Sequence, residues 1–318
     1  MRQSKFRHRC EYFLFRCAVC LLQLLSVRQT IQLGRFVSWL MTDLLPRRVT
    51  RYNVAADNIR QAFPEMSDEN VTDTIRKMWA HLARVVAEMV QLPRKLTLEN
   101  CRECVTFRNR QPVVEALTQG RPVLILGGHF GNWEVSIASF GLFGFPMGVI
   151  AREMDNPYLH RWFARERERA GHRLYLKQGS YDGITELMQA GGNMALLGDQ
   201  DAGKRGVFVD FFGKPASTFK SIALMAMEYD ALLVMGYGIR LPDDLNEGRW
   251  ARFEIGCEAV IDPQSLTSDD PIKEITEQYT QALERAIRRA PEQYFWVHRR
   301  WKTAPRIREQ SKPARRAA

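Results

Sequence analysis

Cysteine is scarce, with six in 318 residues, too few for a disulfide framework. Glycine (21) and proline (14) are also sparse, which excludes collagen-like and low-complexity chains. A long hydrophobic run is missing. The most apolar segment, Tyr12 to Val27, is interrupted by Arg16 and Gln23. Its longest charge-free stretch, Cys17 to Val27, is well short of the ~20 residues a clean membrane span needs. No cleavable leader with a small-residue cleavage site is evident, so a cytosol-facing chain is expected. Common catalytic signatures are lacking too: there is no G-x-S-x-G elbow and no H-E-x-x-H helix. Gly198 to Arg205 nearly matches a phosphate-binding loop, but Arg205 stands where Ser or Thr must hold magnesium, and the internal aspartates repel phosphate. The pairs Cys17/Cys20 and Cys101/Cys104 lie far outside zinc-ribbon spacing, and the first falls in an apolar run. Free thiols are expected, with no metal and no cofactor.

What is present is a folded-protein composition, 45% apolar and 26% charged. The net charge of +10 is unevenly spread. Residues 1–51 carry +8 and residues 299–318 carry +7, leaving −5 on the body between them. A nucleic-acid module would put its basic stripe on the folded body. Basic ends on a mildly acidic body suit an anionic membrane surface instead, and no nucleic-acid partner is expected.

The pattern along the chain predicts three parts. Residues 1–50 form a basic, partly apolar helical segment that either lies on a membrane, spans it marginally, or is buried. Residues 51–305 form the main domain and 306–318 a basic tail. Ser67 opens a long helix whose stripe of Val71, Ile75, Met78, Trp79, Leu82, Val85, Val86, Met89 and Val90 reads as core. From residue 121, short β-rich runs alternate with helical stretches. Strands are predicted at 122–126, 147–151, near 174, and at 194–197, 231–239 and 250–258. Helices are predicted at 133–143, 156–170, 181–189, 218–228 and 270–289. Such alternation implies an α/β fold: a mostly parallel central sheet covered by helices, with the N-terminal helical segment packed on it.

The segment Val123-Leu-Ile-Leu-Gly-Gly-His129-Phe-Gly-Asn132-Trp-Glu134 concentrates the chemistry. On a continuous helix, five residues turn by about 140° and would separate His129 from Glu134. Gly127, Gly128 and Gly131 allow His129 to sit on a turn with Glu134 in the first turns of the next helix. The carboxylate can then hold one imidazole nitrogen and leave the other as a general base. His8, His81, His160 and His172 lack this context and are assigned to surface or core. Asp199 and Asp201 flank Gln200 at a strand end, where two acids could bind a metal, orient catalytic groups or simply be solvated.

His129-Phe-Gly-Asn-Trp-Glu134 resembles the His-x4-acid motif of glycerolipid acyltransferases, in the form found in the late lipid A acyltransferases. The resemblance extends to Gly148 to Arg152 with Asn156-Pro157, where Ala151 and Glu153 depart from the usual aromatic and proline. It continues in Gly198-Asp-Gln-Asp201, in Gly206 to Phe212 and in Pro291 to Thr303, covering about residues 12–305. It implies transfer of an acyl chain from acyl carrier protein to a hydroxyl of a lipid A precursor, at the cytoplasmic face of the inner membrane. His129 and Glu134 would be catalytic, and Arg152, Asp201 and Asn132 would bind substrate. Other acceptors, such as a lysophospholipid or a glycosylated phosphoinositide, and a non-catalytic lipid-binding role are the alternatives.

Overall fold

The computed structural model describes residues 2–151, 153–176, 179–245 and 250–303. Four helices come first: α1 (Arg2–Leu24), α2 (Val27–Trp39), α3 (Tyr52–Ala62) and α4 (Asp68–Lys95). A single turn, α5 (Cys101–Cys104), leads into β1 (Val105–Arg108) and α6 (Arg110–Thr118). The alternating part is β2 (Val123–Gly127), α7 (Trp133–Leu142), β3 (Met147–Ala151), α8 (Pro157–Arg169), β4 (Arg173–Leu176), α9 (Tyr181–Gln189) and β5 (Asn193–Leu197). A hairpin, β6 (Val207–Phe211) and β7 (Lys214–Thr218), precedes α10 (Lys220–Glu228), β8 (Leu232–Arg240), β9 (Phe253–Ile261) and α11 (Pro271–Arg289).

Seven strands form one sheet in the order β1-β9-β8-β2-β5-β3-β4, with only β8 and β9 antiparallel. The α/β reading with a mostly parallel sheet therefore holds. β2 lies at the centre, and the continuous run Val123 to Leu126 is buried throughout, as expected of a strand covered on both faces. Helix starts follow local chemistry. Ser67, Asn132, Asn156 and Asp270 each accept an amide of the following first turn, and α8 and α11 open with proline at their first position. The sequence reading passed over β1, α6 and the second hairpin strand, and it began β9 three residues early.

Among the described residues, no helix is long and apolar enough to cross a membrane. The N-terminal helices pack on the body. Gly34 of α2 is close enough to α4 that an added methyl group would lie 2.9 Å from the Ala80 carbonyl. Gln91 of α4 donates to the carbonyls of Leu22 (2.8 Å) and Leu25 (3.1 Å).

The buried face of α4 differs from its predicted stripe. Val71, Ile75, Met78, Val85 and Val90 are core, but Val86 is exposed, and His81, Glu88 and Gln91 are buried instead. These polar side chains are affordable because they are paired. Glu88 accepts from Arg240 of β8 at both oxygens and from Asn132 Nδ2 at 2.9 Å. His81 accepts from Arg240 at Nδ1 and donates Nε2–H to the Gly131 carbonyl at 3.0 Å. Burial first, then the Arg240 charge, hold His81 well below its usual pKa, so it is neutral as this arrangement needs. One turn away on α4, Arg84 clamps Asp243 with two bonds of 2.8 and 2.6 Å. Removing one partner of a buried ion pair strands the other. Glu88→Ala should therefore cost about 3–5 kcal/mol, seen as a lower urea midpoint, and a loss under about 1 kcal/mol would show that the network contributes little.

Candidate active site

The carboxyl ends of β2 and β5 build the site. Gly127 pairs with Leu197 in parallel register, and two residues further along each chain stand His129 and Asp199. The register thus brings them to one level although they are 70 residues apart. Asp199 grips the histidine twice: Oδ2 accepts the His129 backbone N–H at 2.9 Å and Oδ1 accepts Nδ1–H at 2.8 Å. The carboxylate oxygen that faces the ring can only accept, so the neutral imidazole carries its proton on Nδ1 and presents a bare Nε2. Nε2 has no hydrogen-bond partner among the described residues, and the side chain is 24% exposed.

The electrostatics follow from burial and pairing. Burial works against a charged His129, but the hydrogen bond and charge of Asp199, with Glu134 adding, win and raise its pKa above the ordinary 6.5. Burial likewise opposes ionisation of Asp199, and its bonds to His129 overcome that and hold it below the ordinary 3.8. Tyr294 is buried beside the carboxylate. Burial and the Asp199 charge push its phenol far above its usual range, so it stays a neutral donor.

The turn itself is fixed from three sides. Gly131 has φ +60°, and a side chain there would bring Cβ to 2.1 Å from the Gly238 carbonyl. Only glycine fits. Asn132 N–H donates to that same carbonyl at 2.7 Å. From the C-terminal segment, Gln293 accepts the Gly131 N–H at 3.0 Å and Phe295 N–H donates to the His129 carbonyl at 3.0 Å. That segment packs on the body, with Trp296 and Tyr294 in the core. Trp133 meets the imidazole edge-on at 5.3 Å between centroids.

The five sequence-nominated residues fare differently. Glu134 does not hold the imidazole; it accepts from Arg167 of α8 at 3.1 Å and acts on His129 through its charge. The orienting hydrogen bond belongs to Asp199. Asn132 is fully buried, with its side chain committed to the Val135 amide and to Glu88. Burial replaces the expected substrate contact with a structural one. Asp201 has no hydrogen bond to His129 and accepts from the Gly203 amide and from Thr303. Arg152 lies outside the described residues. Sequence reasoning missed Arg240, Glu88 and Arg167, while His81 is one of the histidines it assigned to surface or core. The signal for Asp199 was available, as an acid two residues past a buried strand, the same offset as His129.

Two cavities adjoin the turn. A void of about 20 Å³ beneath it is lined by Gly128, Trp133, Ser136 and Gly236. Ser136 and Gly236 also border an apolar cavity of about 360 Å³ walled by Val113, Leu117 and Phe140.

A buried acid, a histidine it orients and a neighbouring apolar cavity thus lie together at the carboxyl ends of β2 and β5. The chain belongs to the bacterial lipid A biosynthesis acyltransferase family, whose model matches residues 1–303, and it is an acyltransferase. It is 25% identical over 259 residues to the lipid A biosynthesis lauroyltransferase of Escherichia coli (strain K12), covering 80% of each chain. It is 23% identical over 246 residues to a lipid A biosynthesis acyltransferase of Haemophilus influenzae, covering 76% of this chain and 73% of that one. A phosphatidylinositol mannoside acyltransferase of Mycolicibacterium smegmatis is 23% identical over 251 residues, covering 69% and 80%.

The pair has a pH signature. A raised His129 stabilises the fold below its unfolded value of 6.5, and this is lost as pH rises through the raised value. A depressed Asp199 stabilises above 3.8, and this is lost as pH falls through the depressed value. Asp199→Asn should therefore lower Tm more at about pH 6 than at about pH 9. Equal losses in thermal unfolding at both would contradict the coupling.

Proposed function

We propose that this chain moves a fatty acyl group from acyl carrier protein to a hydroxyl of a phosphorylated lipid A precursor, at the cytoplasmic face of the inner membrane. The observation that carries the mechanism is the unpartnered Nε2 of His129, backed by Asp199 at Nδ1. Nε2 takes the proton of the acceptor hydroxyl as its oxygen adds to the thioester carbonyl. The C–S bond then breaks, and the imidazolium returns the proton to the departing thiolate. No acyl-enzyme is needed. Asp199 and, through space, Glu134 stabilise the charged ring during the step. The amides at the start of α7, at Trp133 and Glu134, and Arg152 just after β3 are the candidates to stabilise the oxyanion. Arg152 is also the candidate to hold an anionic group of the acceptor.

The apolar cavity beside Ser136 and Gly236 suits the acyl chain by its size and lining, and it shares those two residues with the void at the histidine turn. A membrane location is supported by the outward face of α1, where Phe6, Phe13, Leu14, Leu21 and Leu24 are exposed. The basic ends suit both an acidic carrier protein and an anionic membrane. A second reading of the acceptor, a mannosylated phosphoinositide, is favoured by the likeness to the Mycolicibacterium protein.

The test is turnover of purified protein with acyl carrier protein carrying the donor and each acceptor in turn, with products read by mass spectrometry. His129→Ala should lower turnover by ~10²–10⁴ with the fold intact. Retention of more than about a tenth of the parental rate would end the general-base assignment.

A further inference from the structure

The inner face of α1, with Tyr12, Arg16, Val19 and Gln23 at spacings of four, three and four, meets α8 and the end of α4. Aromatic contacts hold the two helices together: Phe15 lies edge-on to Trp162 at 4.9 Å, and Tyr12 lies 5.8 Å from Tyr158. Between them runs a groove of about 530 Å³ into which Arg16, Arg94, Arg161, Arg165 and Arg169 converge, with Glu166 as the one acid lining it. Glu166 pairs with Arg169 at 3.0 Å. Arg16 donates to the Tyr12 hydroxyl and Arg161 to the Pro157 carbonyl, both neutral acceptors. Arg94 and Arg165 have no hydrogen-bond or ion-pair partner among the described residues. Four guanidinium charges are thus left unneutralised in one concave surface, on a body whose sequence is otherwise mildly acidic. Planar forks of this kind match the oxygens of a phosphate group.

The surroundings say which phosphate. α1 turns its exposed Phe13, Leu14, Leu21 and Leu24 away from the groove, on the opposite side of the same helix. A helix with such a face settles about 5–10 Å into the interface with its polar side at the headgroups, where the long arginine side chains of the groove can reach lipid phosphates. An acidic protein surface at the groove would gain nothing from that apolar face on the far side of α1. We infer that the groove between α1 and α8 binds the phosphate-bearing headgroup of an anionic membrane lipid, with Arg94 and Arg165 as its principal ligands and Arg16 and Arg161 beside them. It rests on the membrane-surface reading of α1, and it would hold the enzyme at one depth and orientation while substrates exchange at His129.

Calorimetric titration of the full chain with dihexanoylphosphatidylglycerol below its micelle concentration tests the groove without any bilayer. Dihexanoylphosphatidylcholine and inorganic phosphate serve as the comparison probes. The expected result is at least tenfold tighter binding of the anionic lipid than of either, weakening with salt. Arg94→Gln with Arg165→Gln should abolish that preference, and both residues are exposed, so the fold should survive. Equal affinity for the two lipids, an unaffected double variant, or inorganic phosphate binding as tightly as the lipid would each overturn the proposal. Flotation on phosphatidylglycerol vesicles is the separate arm. Parent protein that fails to float yet binds the soluble anionic lipid selectively supports the groove and overturns the membrane reading.

Discussion

The double grip of Asp199 on His129 is the interaction on which the remainder of the site depends. One carboxylate oxygen fixes the backbone of the turn and the other fixes the ring, so position and tautomer are set by the same buried group. Burial opposes ionisation of a carboxylate in that environment, and the two donated hydrogen bonds outweigh the burial. The histidine in turn gains basicity from a partner that water cannot screen well. The parallel pairing of β2 with β5 puts the two residues level, so sheet register decides which acid meets the histidine.

Beneath this pair lies a second polar layer with a different task. Arg240, Glu88, His81 and Asn132 join the end of β8 to α4 and to the turn at Gly131. Gln293 continues the layer, bonding both the amide and the carbonyl of Arg240 and accepting from Gly131. An all-apolar interior could supply comparable stability, but hydrogen bonds fix angles where apolar contacts tolerate sliding. The turn that carries His129 is consequently braced by α4, β8 and the C-terminal segment. α4 also carries the N-terminal helices, through Gly34 and Gln91, so those helices and the turn of His129 are braced by the same element.

Much of this was legible in the amino-acid sequence, for reasons that are local. Val123 to Leu126 followed by two glycines reads as a buried strand ending in a tight turn, and His129 in that setting has few structural reasons to be there. The helix from Ser67 and the one from Pro271 announce themselves by caps and period. Partner choice was less legible. Glu134 is near His129 along the chain, and Asp199 is near it only through strand pairing, so proximity in sequence favoured the wrong carboxylate for the ring. Asn132 shows the same limit from another side, since a polar residue in a glycine-rich loop can cap a helix or face a ligand, and only burial separates the two. The buried polar network of α4 escaped notice because neither His81 nor Glu88 shows a partner until Arg240 is brought to them across 152 residues or more.

The central claim is that Asp199 fixes His129 as an Nδ1-protonated base with elevated basicity. Long-range nitrogen–proton correlation spectra of protein labelled with ¹⁵N-histidine read both properties in a single titration, without substrate. The account predicts an Nδ1–H, bare-Nε2 tautomer for His129 and a midpoint above the ordinary 6.5 that falls in Asp199→Asn. An Nε2–H tautomer in the parent, or a midpoint at or below 6.5 that does not respond to Asp199→Asn, would contradict it.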